Sequence, residues 1–312
     1  MRNTSFRVMK RKPDQVSKEP TFLFCVGATK AGTSWLYEHL SAHPDCHFRT
    51  IKELHYFTLK NADQFDAALR GADRKIAEMQ ARLDAVAYER KVVVAQRLAD
   101  LIAWRTVLAH RAIDLPAYRA FLTEGAGDAR LVGDVTPAYG LMSEQNLAGL
   151  ARVASDTRFV YLIRDPLSRL WSHVRMIAAR TAPDRFAQAA EAQMAAILDG
   201  DLAGEGKGIV ARGDYARILP KLVRAVPAQS LFVQFQEELL TLPGIAKLSA
   251  FLGLAPAAAD LGRRVHEGKS VALPEALRAR ALQWLRPQYE YVAAMFPALP
   301  EAWRRNMEKG FA

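Results

Sequence analysis

The sequence predicts an α/β fold in three layers, with a central parallel sheet flanked by helices and extended by a helical insertion. Three observations carry that prediction. Short apolar runs at 21–26, 131–133, 159–163 and 230–235 alternate with helical stretches, and strands separated by helices pair in parallel under cover on both faces. The first run feeds Gly27-Ala28-Thr29-Lys30-Ala31-Gly32-Thr33-Ser34 and then Trp35-Leu36-Tyr37-Glu38-His39-Leu40. A buried strand, a tight glycine turn and a helix opening on Thr-Ser aim backbone N–H groups at an anion. Residues 61–113 are almost free of glycine and proline and dense in alanine, leucine, arginine and glutamate, which marks helices outside the strand pattern.

Taken in order, strand one (21–26) leads through the phosphate loop to a helix over 32–42. His43-Pro44-Asp45 ends that helix, since proline cannot continue it. Within 61–113, Ile76, Met79, Leu83 and Val86 recur at three to four residues, which predicts long helices in a hairpin. The core resumes with a short strand at 131–133, a helix over 143–154 and a strand at 159–163. Asp165-Pro166 has the form of an N-cap followed by proline at the first helical position. Helices follow over 184–199 and 214–225, and 230–235 is a late strand. The remainder is helical apart from the polar stretch 263–270. The predicted organisation is a flexible basic arm (1–20) and one domain (21–312) carrying a helical insertion at 60–113.

Composition narrows the class. The chain has 312 residues, 50% hydrophobic and 24% charged, as in ordinary soluble globular proteins. A net charge of +10 points to anionic ligands, whether a nucleotide, an acidic glycan or a membrane surface. The lysines and arginines are scattered and form no nucleic-acid-binding module, so nucleic acid is not the expected partner. Two cysteines, Cys25 and Cys46, build neither a metal cluster nor a disulfide framework, which favours a reducing compartment. Cys25 falls in the first strand as a small core residue. The stretch 1–20 is polar and basic without an apolar segment, and no run approaches the ~20 apolar residues of a membrane span. The expectation is a cytoplasmic enzyme without a transmembrane segment.

The lysine of the loop carries the next inference. In the ordinary Walker pattern it follows the second glycine directly; here Thr33 has that place and Lys30 stands two residues before Gly32. This displaced lysine resembles the 5′-phosphosulfate loop of sulfotransferases that use 3′-phosphoadenosine 5′-phosphosulfate (PAPS). Downstream, Arg158-Phe159-Val160-Tyr161-Leu162-Ile163-Arg164-Asp165-Pro166, running into Leu167-Ser168-Arg169-Leu170-Trp171-Ser172-His173, is similar to that family's 3′-phosphate segment. Lys52-Glu53-Leu54-His55-Tyr56-Phe57 and Gly133-Asp134-Val135-Thr136-Pro137-Ala138-Tyr139 resemble two further blocks, nearest the branch of heparan sulfate sulfotransferases and many bacterial enzymes. The four blocks stand in family order over residues 21–176. Weaker similarity continues through Gly213-Asp214-Tyr215 to Gln236-Glu237-Glu238-Leu239. The fold implied is P-loop-like.

Residue roles follow from the chemistry and the resemblance together. In-line sulfuryl transfer builds negative charge on the departing phosphate, and Lys30 is the cation expected beside it. Lys30, Ala31, Gly32, Thr33 and Ser34 are expected to hold the 5′-phosphate through backbone N–H groups and hydroxyls. Thr33 and Ser34 read equally well as helix caps, because a capped N-terminus and an anion site share one geometry. An acceptor hydroxyl or amine must lose a proton, which calls for a general base. The resemblance assigns it to Glu53, with His55 as the competing base. Arg164 and Ser172 are implied to clamp the 3′-phosphate, arginine by paired hydrogen bonds. Ser168 shares the helical face of Ser172, and the family match rather than the spacing selects Ser172. Gly268 and Lys269, in Arg263-Arg264-Val265-His266-Glu267-Gly268-Lys269-Ser270, stand where the family has a basic nucleotide-binding loop.

Val135 departs from the pattern, since heparan-type relatives have a lysine before the Thr/Ser-Pro step that helps bind an acidic acceptor. No metal is expected, because no carboxylate cluster accompanies the loop. The function expected is PAPS-dependent sulfuryl transfer to a hydroxyl or amine of a glycan, a lipid-linked or a small-molecule acceptor. The alternatives are a P-loop-type kinase or nucleotide hydrolase, with Asp134 as its strand-end acid, and a non-catalytic binding protein that docks a partner on its helical insertion.

Overall fold

The computed structural model describes residues 19–257, 261 and 269–311. In chain order the elements are β1 (Thr21–Gly27), α1 (Thr33–Ser41), β2 (Cys46–His47), α2 (Ala62–Ala85), α3 (Tyr88–Leu108), α4 (Leu115–Thr123), β3 (Leu131–Val135), α5 (Glu144–Leu150) and β4 (Thr157–Ile163). They continue with α6 (Pro166–Thr181), α7 (Phe186–Leu198), α8 (Gly206–Ala211), α9 (Tyr215–Ala225), β5 (Leu231–Phe235), α10 (Gln236–Leu239), α11 (Leu242–Leu252), α12 (Glu275–Met295) and α13 (Glu301–Gly310). The arm expected over 1–20 lies outside the described residues except for Glu19 and Pro20, and Gly268 lies outside them as well.

The sheet has five strands in the order β2-β3-β1-β4-β5, and every pairing is parallel. The expected three-layer α/β fold is therefore the observed one. β1 takes the centre because Phe22, Leu23, Phe24, Cys25 and Val26 are all buried, a continuous apolar run suited to a strand covered on both faces. Its neighbours are β3 and β4. The winding reverses at β1, and in open parallel sheets the crevice outside the carboxyl ends of strands at such a point is where ligands bind.

Some elements differ from expectation. β2 is a two-residue edge strand, too short for a periodicity signal, and α4 and α8 are short helices hidden in stretches read as connections. α5 stops at Leu150 rather than 154, because the chain must turn for the Asp156 carbonyl to accept from the Phe22 amide (2.9 Å) as β4 begins. α2 and α3 form the expected hairpin. It is rooted by an aromatic cluster in which Tyr56 and Tyr118 stack at 5.2 Å, with Trp104 edge-on to Tyr56 at 5.4 Å and Phe24 stacked on Tyr118 at 6.5 Å. Aromatic pairs of this geometry add about 0.5–1.5 kcal/mol each beyond the area they bury, so the cluster ties α3 and α4 firmly to the central strand.

Candidate active site

The loop after β1 is shaped by backbone strain and close approach. Gly27 takes φ 152°, and a Cβ there would fall on the Tyr161 ring. The Ala28 amide donates to the Leu162 carbonyl of β4 (2.8 Å) and the Ala31 amide to the Ala28 carbonyl (3.1 Å). Lys30 and Gly32 both take left-handed angles, φ 71° and 90°. Gly32 is the N-cap of α1 and, having no side chain, makes no capping hydrogen bond of its own. The capping reading of Thr33 and Ser34 is therefore corrected: both lie inside the first turn, past the position from which a hydroxyl caps. What stands at this end is a glycine N-cap at the head of a helix, the setting in which anion sites are built.

β4 delivers the second half of the site. Arg164 follows the strand directly, and its Nη1 donates to the Lys30 carbonyl at 3.1 Å, across 134 positions of sequence. Its own backbone is clamped by Tyr215, whose hydroxyl accepts from the Arg164 amide (3.1 Å) and donates to its carbonyl (2.7 Å). Asp165 caps α6 as expected, accepting from the Ser168 amide at 2.8 Å. Its second oxygen accepts from the Tyr289 hydroxyl (2.6 Å) and the Asn306 amide (2.9 Å). Glu237 accepts from the Asp165 amide at 3.1 Å and from the Trp303 indole at 3.2 Å. The C-terminal helices α12 and α13 thus hold the Arg164 turn in place.

The third component is the irregular run after β2. Glu53 and His55 both sit at left-handed φ, 64° and 56°. The Lys52 ammonium pairs with one Glu53 oxygen at 2.9 Å, and His55 Nε2 lies 3.4 Å from the other. Burial alone would raise the Glu53 carboxyl, but the hydrogen bond from His55 and the charge and hydrogen bond of Lys52 outweigh it and bring it to about 2. Lys30 is pushed down, first by burial and then by the cations Arg164, Arg175 and Lys52, while Glu53 acts in the opposite sense. Lys30, Lys52, Glu53, Arg164 and Arg175 therefore share one electrostatic neighbourhood.

Other expected residues are placed as follows. Ser172 and Ser168 both lie half-buried along α6. Lys269 turns its ammonium to the Pro183 carbonyl (3.0 Å) and over the Phe186 ring (5.9 Å), whereas its backbone carbonyl accepts from Arg175 (3.4 Å). Its side chain is thus not among the cations gathered at the loop. Val135 is buried in β3. Asp134, the strand-end acid a kinase would require, is buried with both oxygens engaged: one accepts from Thr136 (2.6 Å), the other from Tyr118 and Tyr139 (2.8 Å each). Its pKa is raised, chiefly by burial. That carboxylate is a structural acceptor. Among the described residues no group of three or more His, Cys, Asp or Glu stands close enough together to hold a metal ion, and no helix is long and apolar enough to cross a membrane.

Sequence reasoning assigned no role in the site to Lys52, Arg175, Tyr215 or Glu237. Arg175 carried a readable signal, since it stands three residues beyond Ser172 on the same helix face. The partners of Asp165 carried none, because they come from α12 and α13.

Comparisons with known proteins bear on the family and the fold. A family model described as "Sulfotransferase family" matches residues 20–254. No curated protein matches the sequence significantly. Among solved structures, a sulfotransferase from Alicyclobacillus acidocaldarius superposes with a TM-score of 0.60 at 20% identity, over 93% of this chain and 100% of that one. A sulfotransferase domain from the Synechococcus PCC 7002 olefin synthase aligns at TM-score 0.46 and 16% identity, over 97% of each chain. One from the curacin biosynthetic pathway gives 0.46 and 16%, over 94% of this chain and 98% of that one.

Proposed function

The chain belongs to the sulfotransferase family, and from that premise we propose that it moves a sulfuryl group from PAPS to a hydroxyl or amine acceptor. The observation that carries the reading is the 3.1 Å hydrogen bond from Arg164 to the Lys30 carbonyl. It joins the loop after β1 to the turn after β4, so that two blocks suited to phosphate face one crevice.

In the proposed reaction the acceptor attacks sulfur in line. A bond forms between acceptor oxygen or nitrogen and sulfur as the sulfur–oxygen bond to the 5′-phosphate breaks, and the electron pair leaves on that phosphate oxygen. Lys30 neutralises the developing charge, and the amides and hydroxyls of Ala31, Gly32, Thr33 and Ser34 hold the 5′-phosphate. Arg164 and Ser172 take the 3′-phosphate. The proton of the acceptor passes to Glu53, whose carboxylate is ionised and oriented between Lys52 and His55; His55 is the alternative acceptor of that proton. No metal takes part in this scheme. We assign residues 21–312 to one catalytic domain with the α2–α3 hairpin as its insertion, and the cytoplasm, where PAPS is made in bacteria, as its compartment.

The test is release of 3′-phosphoadenosine 5′-phosphate from PAPS, followed chromatographically with panels of phenols, sugars and amines. Transfer that depends on both an acceptor and Lys30 is the expected result. Mg²⁺-dependent turnover of ATP with no use of PAPS overturns the reading.

A further inference from the structure

Helix α6 is buried around most of its girth, and one polar stripe is left partly open. Ser168, Ser172 and Arg175 are half-buried along it, at i, i+4 and i+7, and so occupy one face. Arg164 stands just before the helix. Side chains in a helix lean toward its N-terminus, the direction in which Ser172 and Arg164 lie from Arg175.

Arg175 is poorly satisfied where it lies. Its Nη1 makes a long contact of 3.4 Å to the Lys269 carbonyl, and its Nε is buried without a hydrogen-bond partner. Among the described residues no carboxylate forms an ion pair with it. It is also near enough to Lys30 and Arg164 to press both toward their neutral forms, after the larger effect of burial on each. Glu53 acts on Lys30, and Glu237 and Asp165 on Arg164, in the opposite sense, whereas Arg175 has no carboxylate partner among the described residues.

The charge balance identifies the anion. A phosphate monoester carries nearly two negative charges and three acceptor oxygens, and of the described residues assigned to the 3′-phosphate above, Arg164 alone is a cation. We propose that Arg175 is the second cation of the 3′-phosphate subsite, closing on that phosphate with Arg164 and Ser172 and setting the preference for a 3′-phosphorylated donor. This rests on the PAPS reading given above. The carbonyl contact to Lys269 is exchanged for phosphate when the nucleotide binds.

The experiment is calorimetric titration of wild type, Arg175→Ala and Arg175→Lys with 3′-phosphoadenosine 5′-phosphate and with ADP. Arg175→Ala should weaken the first nucleotide by about tenfold to a hundredfold, the range for a hydrogen-bonded charge, and leave ADP unchanged. Arg175→Lys should recover part of the loss, since it restores charge without the planar fork. In turnover the KM for donor should rise with kcat held. An Arg175→Ala protein that keeps full affinity, or that weakens both nucleotides by one factor, overturns the proposal while the PAPS reading stands. Wild type that binds ADP as tightly as the 3′-phosphorylated nucleotide overturns both. If Arg175→Ala melts before titration, Arg175→Lys against the same two ligands decides the matter: equal loss for both contradicts the proposal, and selective loss supports it.

Discussion

Lys30, Glu53 and His55 take φ of 71°, 64° and 56°, angles that side-chain-bearing residues adopt seldom. Each costs of order 1–3 kcal/mol, and the surrounding loops hold all three. No sequence signal announces this, because none of the three is glycine. The residue types were legible in their motifs, and their backbone angles were not. Lys30→Ala should lower the transfer rate by about a hundredfold or more with a smaller effect on binding of the desulfated nucleotide, measured by kcat against Kd. Glu53, held at about 2, stays ionised across the working range. With Glu53 as base, kcat/KM therefore stays level from neutral pH down toward acid. Glu53→Gln should then lower it by about 10²–10⁴, the usual contribution of a general base. An acid limb near neutral pH that disappears in His55→Asn moves the role to His55.

At the scale of elements, α6 joins the site to the rest of the fold. Its start was legible because an Asp-Pro cap is local chemistry. Its support was not, since Tyr289 and Asn306 reach Asp165 from 124 and 141 positions away. The middle of the helix rests on Arg169, which is buried with no carboxylate partner among the described residues and donates to the Ile209 carbonyl (3.2 Å) and to His173 Nδ1 (3.4 Å). Gly213 exists for this contact, as a Cβ there would run into the Arg169 guanidinium. Gly213→Ala should destabilise the protein by about 1–3 kcal/mol, the cost of overpacking a filled site, read as a fall in the denaturation midpoint. His173 is pushed down from 6.5 to about 3, first by burial and then by Arg169. A histidine held neutral in the fold contributes stability that is complete above its unfolded value and is lost as pH falls from about 6.5 toward 3. Urea midpoints across that window should fall with pH, and less steeply in His173→Asn; an unchanged slope contradicts the assignment.

The whole molecule is a parallel sheet whose winding reverses at β1, and that topology explains why residues so far apart in sequence meet. Lys30 follows β1 and Arg164 follows the adjacent β4, so both emerge at the carboxyl edge of neighbouring strands. The strands, and the two turns that the proposal assigns to phosphate, were legible because each is a continuous apolar run ending in glycine or arginine. Short elements such as β2 and α8, and the aromatic roots of the α2–α3 hairpin, depend on contacts that no local window contains. The central claim is that this crevice takes a 3′-phosphorylated nucleotide. Calorimetric titration of wild type and Arg164→Ala with 3′-phosphoadenosine 5′-phosphate, ADP and ATP tests it most directly. The account predicts that tight binding requires both the 3′-phosphate and Arg164. Equal or tighter binding of ATP, unaffected by Arg164→Ala, would contradict it.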